Sequence, residues 1–246
     1  MKYCFCSCYV GDLENFQNGT FDKVEGVDYF LFTNLSKNEI KNTSWDVVEI
    51  KEHDNIKELR TNTHVSRYYK FQLHKILDKS YDFVFYMDHY IYPLNNVDWR
   101  FIAEKVVYNC NEEKLAIIQK RHCEKTIKSE CNFVVQLRKE TLENMNKALL
   151  FMKSLKPEIN LNNETDYVEN CIFGYCINHK NTVDFFDNFW KLYTNPSYYT
   201  YRDQPLWNFT YKYYKKKCQI EKMQNYISAK NLKQFNIRKY NNKCIL

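Results

Sequence analysis

An unbroken apolar run, Phe83-Val84-Phe85-Tyr86-Met87, stops at a carboxylate, Asp88, and the chain then passes through His89-Tyr90-Ile91-Tyr92 to Pro93. A run with no polar face predicts a strand buried on both sides, as in a parallel sheet covered by helices. Its acid then falls outside the strand's carboxyl end, where open α/β sheets hold their ligands. A lone carboxylate there is suited to a metal or a substrate hydroxyl. Just upstream, Arg60, Arg67, Lys70 and His74 share one side of a helix predicted over residues 62–79. Basic helix followed by acid-tipped strand suits a diphosphate bridged by a divalent cation.

Further strands are predicted over residues 3–10, 28–33, 45–50, 115–119 and 171–177, and helices over 97–108, 139–153, 182–193 and 205–214. Their alternation predicts an α/β sandwich with a mostly parallel central sheet. Nothing in the 246 residues reads as a linker, an internal repeat or a low-complexity tract, and 44% hydrophobic content supplies one large core. A single domain is expected. Glycine and proline, four of each, are too scarce for a turn-dense β-sandwich.

The formal charge of +6 is concentrated late in the chain, in Lys212 with Lys215, Lys216 and Lys217, then Lys230, Lys233, Arg238, Lys239 and Lys243. A solvated face and a loose basic tail, or docking on nucleic acid or an anionic membrane, would each use such a region. The 21 tyrosines suit stacking on sugars or bases, and equally a biased genome. Cys4, Cys6 and Cys8 alternate along a predicted strand, a poor spacing for disulfides, and no C-x-x-C pair occurs. Reduced, buried thiols in a cytoplasmic protein are expected. No apolar leader with a cleavage site and no apolar span of membrane length is present.

On the helix over 62–79, a turn of about 100° per residue gathers Val65, Tyr69, Gln72 and Ile76 on one face and the basic residues opposite. The basic ridge therefore faces solvent, unless the helix lies at the mouth of the site and turns its cations to a ligand. Motifs for a serine-hydrolase elbow, a P-loop, a zincin helix and a dinucleotide-binding turn are all absent from the sequence.

Several segments in this order and spacing carry a resemblance over most of the chain: Cys8-Tyr9-Val10; Val27-Asp28-Tyr29-Phe30-Leu31-Phe32-Thr33-Asn34; Ser44-Trp45-Asp46-Val47-Val48; Arg67-Tyr68-Tyr69-Lys70 with Leu73-His74-Lys75-Ile76-Leu77; Tyr86-Met87-Asp88; and Arg202-Asp203-Gln204. The chain resembles GT-A glycosyltransferases, in particular the small nucleotide-sugar-dependent type encoded by large DNA viruses and related to a plant Golgi glycosyltransferase-like family. The resemblance implies a single Rossmann-like domain with a nucleotide-binding half over 1–95, an acceptor-side half over 96–225 and a basic tail over 226–246. It implies transfer of a hexose or pentose from a nucleoside-diphosphate sugar, UDP before GDP, to a hydroxyl of a glycan or glycoprotein. Tyr9, Thr33 and Asn34 would lie near base and ribose, and Arg60, Arg67 and Lys70 near phosphate. Asp88 would open the family's D-x-D metal motif, which here reads Asp88-His89-Tyr90. Tyrosine stands where the second carboxylate would complete an Mn²⁺ or Mg²⁺ site; His89 offers a nitrogen, better suited to Mn²⁺, or the basic helix meets the charge itself.

Glycosyl transfer needs stabilisation of a departing diphosphate and, in an inverting enzyme, a carboxylate to take the acceptor's proton. Asp203, at a predicted helix start, is the first choice for that base and Glu169 the second; Asp166 and Glu130 are further carboxylates of this kind. Gly174 would allow a sugar to approach the backbone. His122 and Glu130 fall where the related plant sequences carry a His, Arg, Cys and Glu cluster, which Lys125 and Ser129 interrupt. His179 would reach the diphosphate or metal, or simply sit at the surface. The alternative from another class is a noncatalytic protein that binds nucleic acid or glycan on a degenerate transferase fold.

Overall fold

The computed structural model describes residues 1–17, 19–50, 61–111, 114–123, 126–163, 167–214 and 219–240; side chains are described in all of these except 214, 219 and 235–240. Seven strands form one sheet: β1 Tyr3–Tyr9, β2 Asp28–Thr33, β3 Asp46–Glu49, β4 Phe83–Met87, β5 Lys114–Arg121, β6 Val168–Cys176 and β7 Gln219–Lys222. Their order is β3-β2-β1-β4-β6-β5-β7, and only β6 runs against the rest. The sheet is thus mostly parallel, as the alternation predicts. Strand order reverses direction at β1, which has β2 on one side and β4 on the other. Their carboxyl ends flank the crevice where an open sheet of this kind receives a ligand.

Helices α1 Asn62–Phe71, α2 Leu73–Ile76, α4 Ile127–Gln136, α5 Leu142–Leu155, α6 Lys180–Tyr193 and α7 Asp203–Tyr214 supply one layer; α3 Trp99–Asn109 and α8 Ala229–Tyr240 supply the other. Alternation along the central strands separates the cores: Cys4, Cys6, Cys8, Val84 and Tyr86 face the first layer, and Tyr3, Phe5, Phe83, Phe85 and Met87 face the second. The eight cysteines among the described residues are all free. Ile227 and Leu232 are buried in the second core, so part of the segment expected as a tail is packed.

The helix predicted over 62–79 is broken. Thr61 caps α1 by accepting the amide of His64, and Gln72, at φ −118° and ψ 27°, ends it. The Gln72 side chain donates to the carbonyls of Phe71 and Phe186 at 3.1 and 3.2 Å, fixing the bend against α6. Three elements escape the sequence reading: α4, announced only by a Thr126/Ser129 capping box, the four-residue β7, and α8.

Gly174 has a different role from the one expected. A Cβ there would lie 2.6 Å from Phe83 and 2.7 Å from Phe85, whose rings cross the strand in the second core. The glycine admits aromatic rings rather than a sugar. Gly174→Ala is expected to cost about 1–3 kcal/mol through overpacking, read as a lower urea midpoint at unchanged slope. A midpoint like that of the wild type would mean the rings can shift at little cost.

Candidate active site

The carboxyl ends of β1 and β4 carry two groups of residues, on opposite sides of the sheet. On the α1 side, Asp88 turns its Oδ1 to the ammonium of Lys70 at 3.0 Å and accepts the hydroxyl of Tyr90 on Oδ2 at 3.1 Å. Asp203, the first residue of α7, accepts Arg67 Nε on Oδ1 at 3.1 Å and Asn170 Nδ2 on Oδ2 at 3.0 Å, with Lys70 3.8 Å from Oδ2. Two cations and two carboxylates from three distant segments therefore share one cluster. Lys70 is only 2% exposed, whereas the Arg67 side chain is 21% exposed.

The basic face of the helix therefore points inward, against the solvated alternative. The residues separate into those that enter the site and those that support the fold. His74 is buried away from the cluster, with Nε2 3.0 Å from Asp187 Oδ1 and Nδ1 3.4 Å from the Tyr175 hydroxyl. Burial pulls its pKa down despite Asp187, so it adds no cation for a ligand at neutral pH.

Electrostatics hold the cluster ionised. Burial would raise the pKa of Asp203, yet Arg67, Lys70 and Arg202, with the Asn170 hydrogen bond, hold it far below the usual carboxylate range. Asp88 is lowered in the same sense: burial opposes, Lys70 and Arg67 prevail. Burial weakens the charge of Arg67, but Asp203, Tyr193, Asp88 and Tyr86 together more than restore it. A carboxylate so stabilised as an anion is a poor proton acceptor, and both its oxygens are already engaged. The geometry gives Asp203 the work of orienting Arg67 and Lys70.

The second choice for a base lies elsewhere. Glu169 is buried on the opposite sheet face from Asn170, pairing Oε2 with Lys120 Nζ at 2.9 Å and accepting the Cys171 thiol. Strand β6 is irregular against β5 here, and the Asn170 amide donates to the Gln204 side chain at 3.3 Å. This irregularity aims Asn170 at Asp203. His122 and Glu130 do meet, Nε2 to Oε2 at 3.9 Å, beyond the end of β5. His179 caps α6 next to the reversed strand's carboxyl end, at the opposite end of the strands from Asp88, with Nδ1 2.8 Å from Thr182. It cannot serve the same ligand. Arg60 and Asp166 lie outside the described residues.

On the other side of the sheet, rings gather: Tyr9 lies 4.8 Å from His89 and 5.1 Å from Phe16, and His89 lies 5.2 Å from Tyr90, centroid to centroid. Burial drives His89 down to about 4, against the pull of Asp88, leaving a neutral ring at neutral pH. Phe16 had no signal in the sequence reading, since only the fold brings it beside Tyr9. Thr33 is fully buried and its hydroxyl accepts the Leu35 amide at 3.1 Å. Asn34 accepts the Gly11 amide at 2.9 Å and donates to its carbonyl at 3.1 Å. Thr33 shapes the turn after β2, and Asn34 ties that turn to the loop after β1.

The Asp88-His89 donor set does not assemble. Asp88 is engaged by Lys70 and Tyr90, and His89 packs among aromatic rings. Among the described residues no three His, Cys, Asp or Glu side chains are grouped to hold a metal ion. The residues do not fit a resident divalent cation.

No protein-family model matches the chain, and no curated protein matches it. Solved structures do. Mouse xyloside xylosyltransferase 1 in its apo form aligns with a TM-score of 0.51 and 7% identity over 89% of this chain and 85% of that one. The apo structure of the WbbM bifunctional glycosyltransferase aligns with a TM-score of 0.48 and 10% identity, covering 97% of this chain and 44% of that one. The chain has a glycosyltransferase fold, with the mostly parallel sheet flanked by helices. No helix among the described residues is long and apolar enough to cross a membrane.

Proposed function

We propose that this protein is a glycosyltransferase that moves a sugar from a nucleoside diphosphate, UDP in preference to GDP, to a hydroxyl of a glycan or glycoprotein. The carrying observation is the cluster of Arg67, Lys70, Asp88 and Asp203 beside the carboxyl end of β4. Arg67 spends Nε on Asp203, and its terminal amino groups make no hydrogen bond within the described residues, so a planar fork is left for phosphate oxygens. On the opposite side of the sheet at the same strand ends, the Phe16 and His89 rings lie within 24° of parallel with Tyr9 tilted about 60° to both, an aromatic cluster against which a base would stack.

During transfer the bond between anomeric carbon and diphosphate oxygen breaks, and the diphosphate leaves with the electron pair. Cations already oriented by carboxylates stabilise that charge without reorganising. The motifs around Arg67, Asp88 and Asp203 support kinship with the small viral and plant-related type. A polyanion-binding role fits the cluster less well, because each of its cations is paired with a carboxylate instead of displayed along a surface.

A ligand that binds only the folded state raises the unfolding midpoint, so UDP and UDP-sugars are expected to shift it more than GDP or ATP. Arg67→Ala is expected to weaken UDP binding by about 10- to 100-fold, the loss of a charged hydrogen-bonding fork, measured by calorimetric titration. No midpoint shift with any nucleotide would remove the transferase reading.

A further inference from the structure

We propose that the buried ammonium of Lys70 takes the place of a divalent metal ion in this site, so that a nucleoside diphosphate binds without one. The inference rests on the nucleotide-binding reading above and concerns how that same site meets the charge. The notion of a metal begins with Asp88, and the geometry around Asp88 answers it. A divalent ion in such a crevice would bridge carboxylates from separate segments and would leave a face for phosphate. Lys70 does the first, standing 3.0 Å from Asp88 Oδ1 and 3.8 Å from Asp203 Oδ2. Its charge is further sheltered by the Tyr86 ring, 5.0 Å away. Arg67 does the second from the more exposed position.

The two roles that one ion would combine are divided between two side chains on successive turns of α1. Spacing by three residues puts both on one face of the helix. An ion entering between Asp88 and Asp203 would have to expel an ammonium that is 2% exposed and hydrogen-bonded. It would also meet few donors: the other oxygen of Asp88 faces Tyr90, and that of Asp203 is held by Arg67. A divalent cation bound through one or two carboxylates, water and substrate phosphate still needs carboxylate oxygens free to face it, and all four of Asp88 and Asp203 are engaged, by Lys70, Tyr90, Arg67 and Asn170.

The test uses the full-length protein stripped with EDTA. Mn²⁺ is titrated into it while the electron paramagnetic resonance signal of the free aquo ion is followed, with no nucleotide present. Wild-type protein is expected to leave the signal undiminished. Lys70→Ala removes the ammonium from Asp88 Oδ1 and from beside Asp203 Oδ2, the position an ion would take, and is expected to bind Mn²⁺ at least ~10-fold more tightly than wild type. In a second arm, UDP is titrated calorimetrically in EDTA and in excess Mn²⁺, and the two dissociation constants are expected to agree within about threefold, short of one decade or 1.4 kcal/mol.

Stoichiometric Mn²⁺ binding by the wild type, or UDP binding that appears only with Mn²⁺, overturns the proposal. Should Lys70→Ala fail to fold, the wild-type titrations still decide. Should UDP bind under neither condition, the nucleotide reading fails, while the Mn²⁺ titration still reports whether Lys70 holds the cation position.

Discussion

Asp203→Ala is expected to destabilise the protein by about 3–5 kcal/mol, because it leaves Lys70 and Arg67 facing each other with one carboxylate between them. Lys70 is essentially inaccessible, so water cannot replace the lost partner. Asn170 would lose its acceptor as well, at about 1–3 kcal/mol for an unsatisfied buried group, part of the same total. Urea unfolding measures the difference, and a loss below about 1 kcal/mol would show that the cluster behaves as a solvent-screened surface pair.

The same residue sets a pH dependence. Its folded-state pKa lies below the unfolded value of about 3.9, so its contribution is complete above that value and is lost as pH falls toward the folded one. Wild-type stability should accordingly drop more steeply below about pH 4 than that of Asp203→Ala, with the two curves converging at low pH. Parallel curves would mean that the carboxyl titrates normally in the folded protein. Nucleotide binding should fail in the same variant at neutral pH, since Arg67 is no longer oriented.

The second large effect is expected at Trp207, one turn along α7 from Asp203. Its ring is fully buried, with centroids of Phe185 and Phe189 at 4.9 Å, Phe186 at 5.1 Å and Phe71 at 5.2 Å. The indole N–H donates to Gln119 Oε1 at 2.9 Å. Trp207→Ala is expected to cost about 3–5 kcal/mol through the cavity and the orphaned amide. Trp207→Phe refills most of the space and should recover at least half of that loss, about 2 kcal/mol or more. Equal losses in the two variants would assign the stability to the hydrogen bond instead of the packing.

Trp207 also connects stability to the site. It anchors α7 against α1 and α6, and α7 presents Asp203 to the cations of α1. A variant loosened at this point should bind UDP more weakly even where it remains folded. Urea-independent calorimetric titration at low temperature separates the two effects.

The sheet was legible in the sequence because its evidence is local. The run from Phe83 to Met87 has no polar residue, so both its faces must be covered, and the strand is found buried throughout. Predicted strands 28–33 and 83–87 coincide with β2 and β4, and the acid after β4 does sit outside the carboxyl end of the sheet. Helical periodicity likewise identified α3, α5, α6 and α7 to within a few residues. The helices α4 and α8 were not picked out, nor was β7, whose four residues are too few to show a period.

What periodicity could not supply was the direction of the basic face. By sequence alone Arg67, Lys70 and His74 form one ridge opposite Tyr69 and Ile76, and a charged ridge ordinarily faces water. The structure divides that ridge: Arg67 and Lys70 turn to Asp88 and Asp203, while the break at Gln72 sends His74 to Asp187. Asp203 lies 136 positions from Arg67, so no local rule links them. The sequence determined where the strands end and which acid stands there; only the tertiary structure decided which cations that acid meets, because burial of an ammonium is stable only where carboxylates from distant segments converge on it.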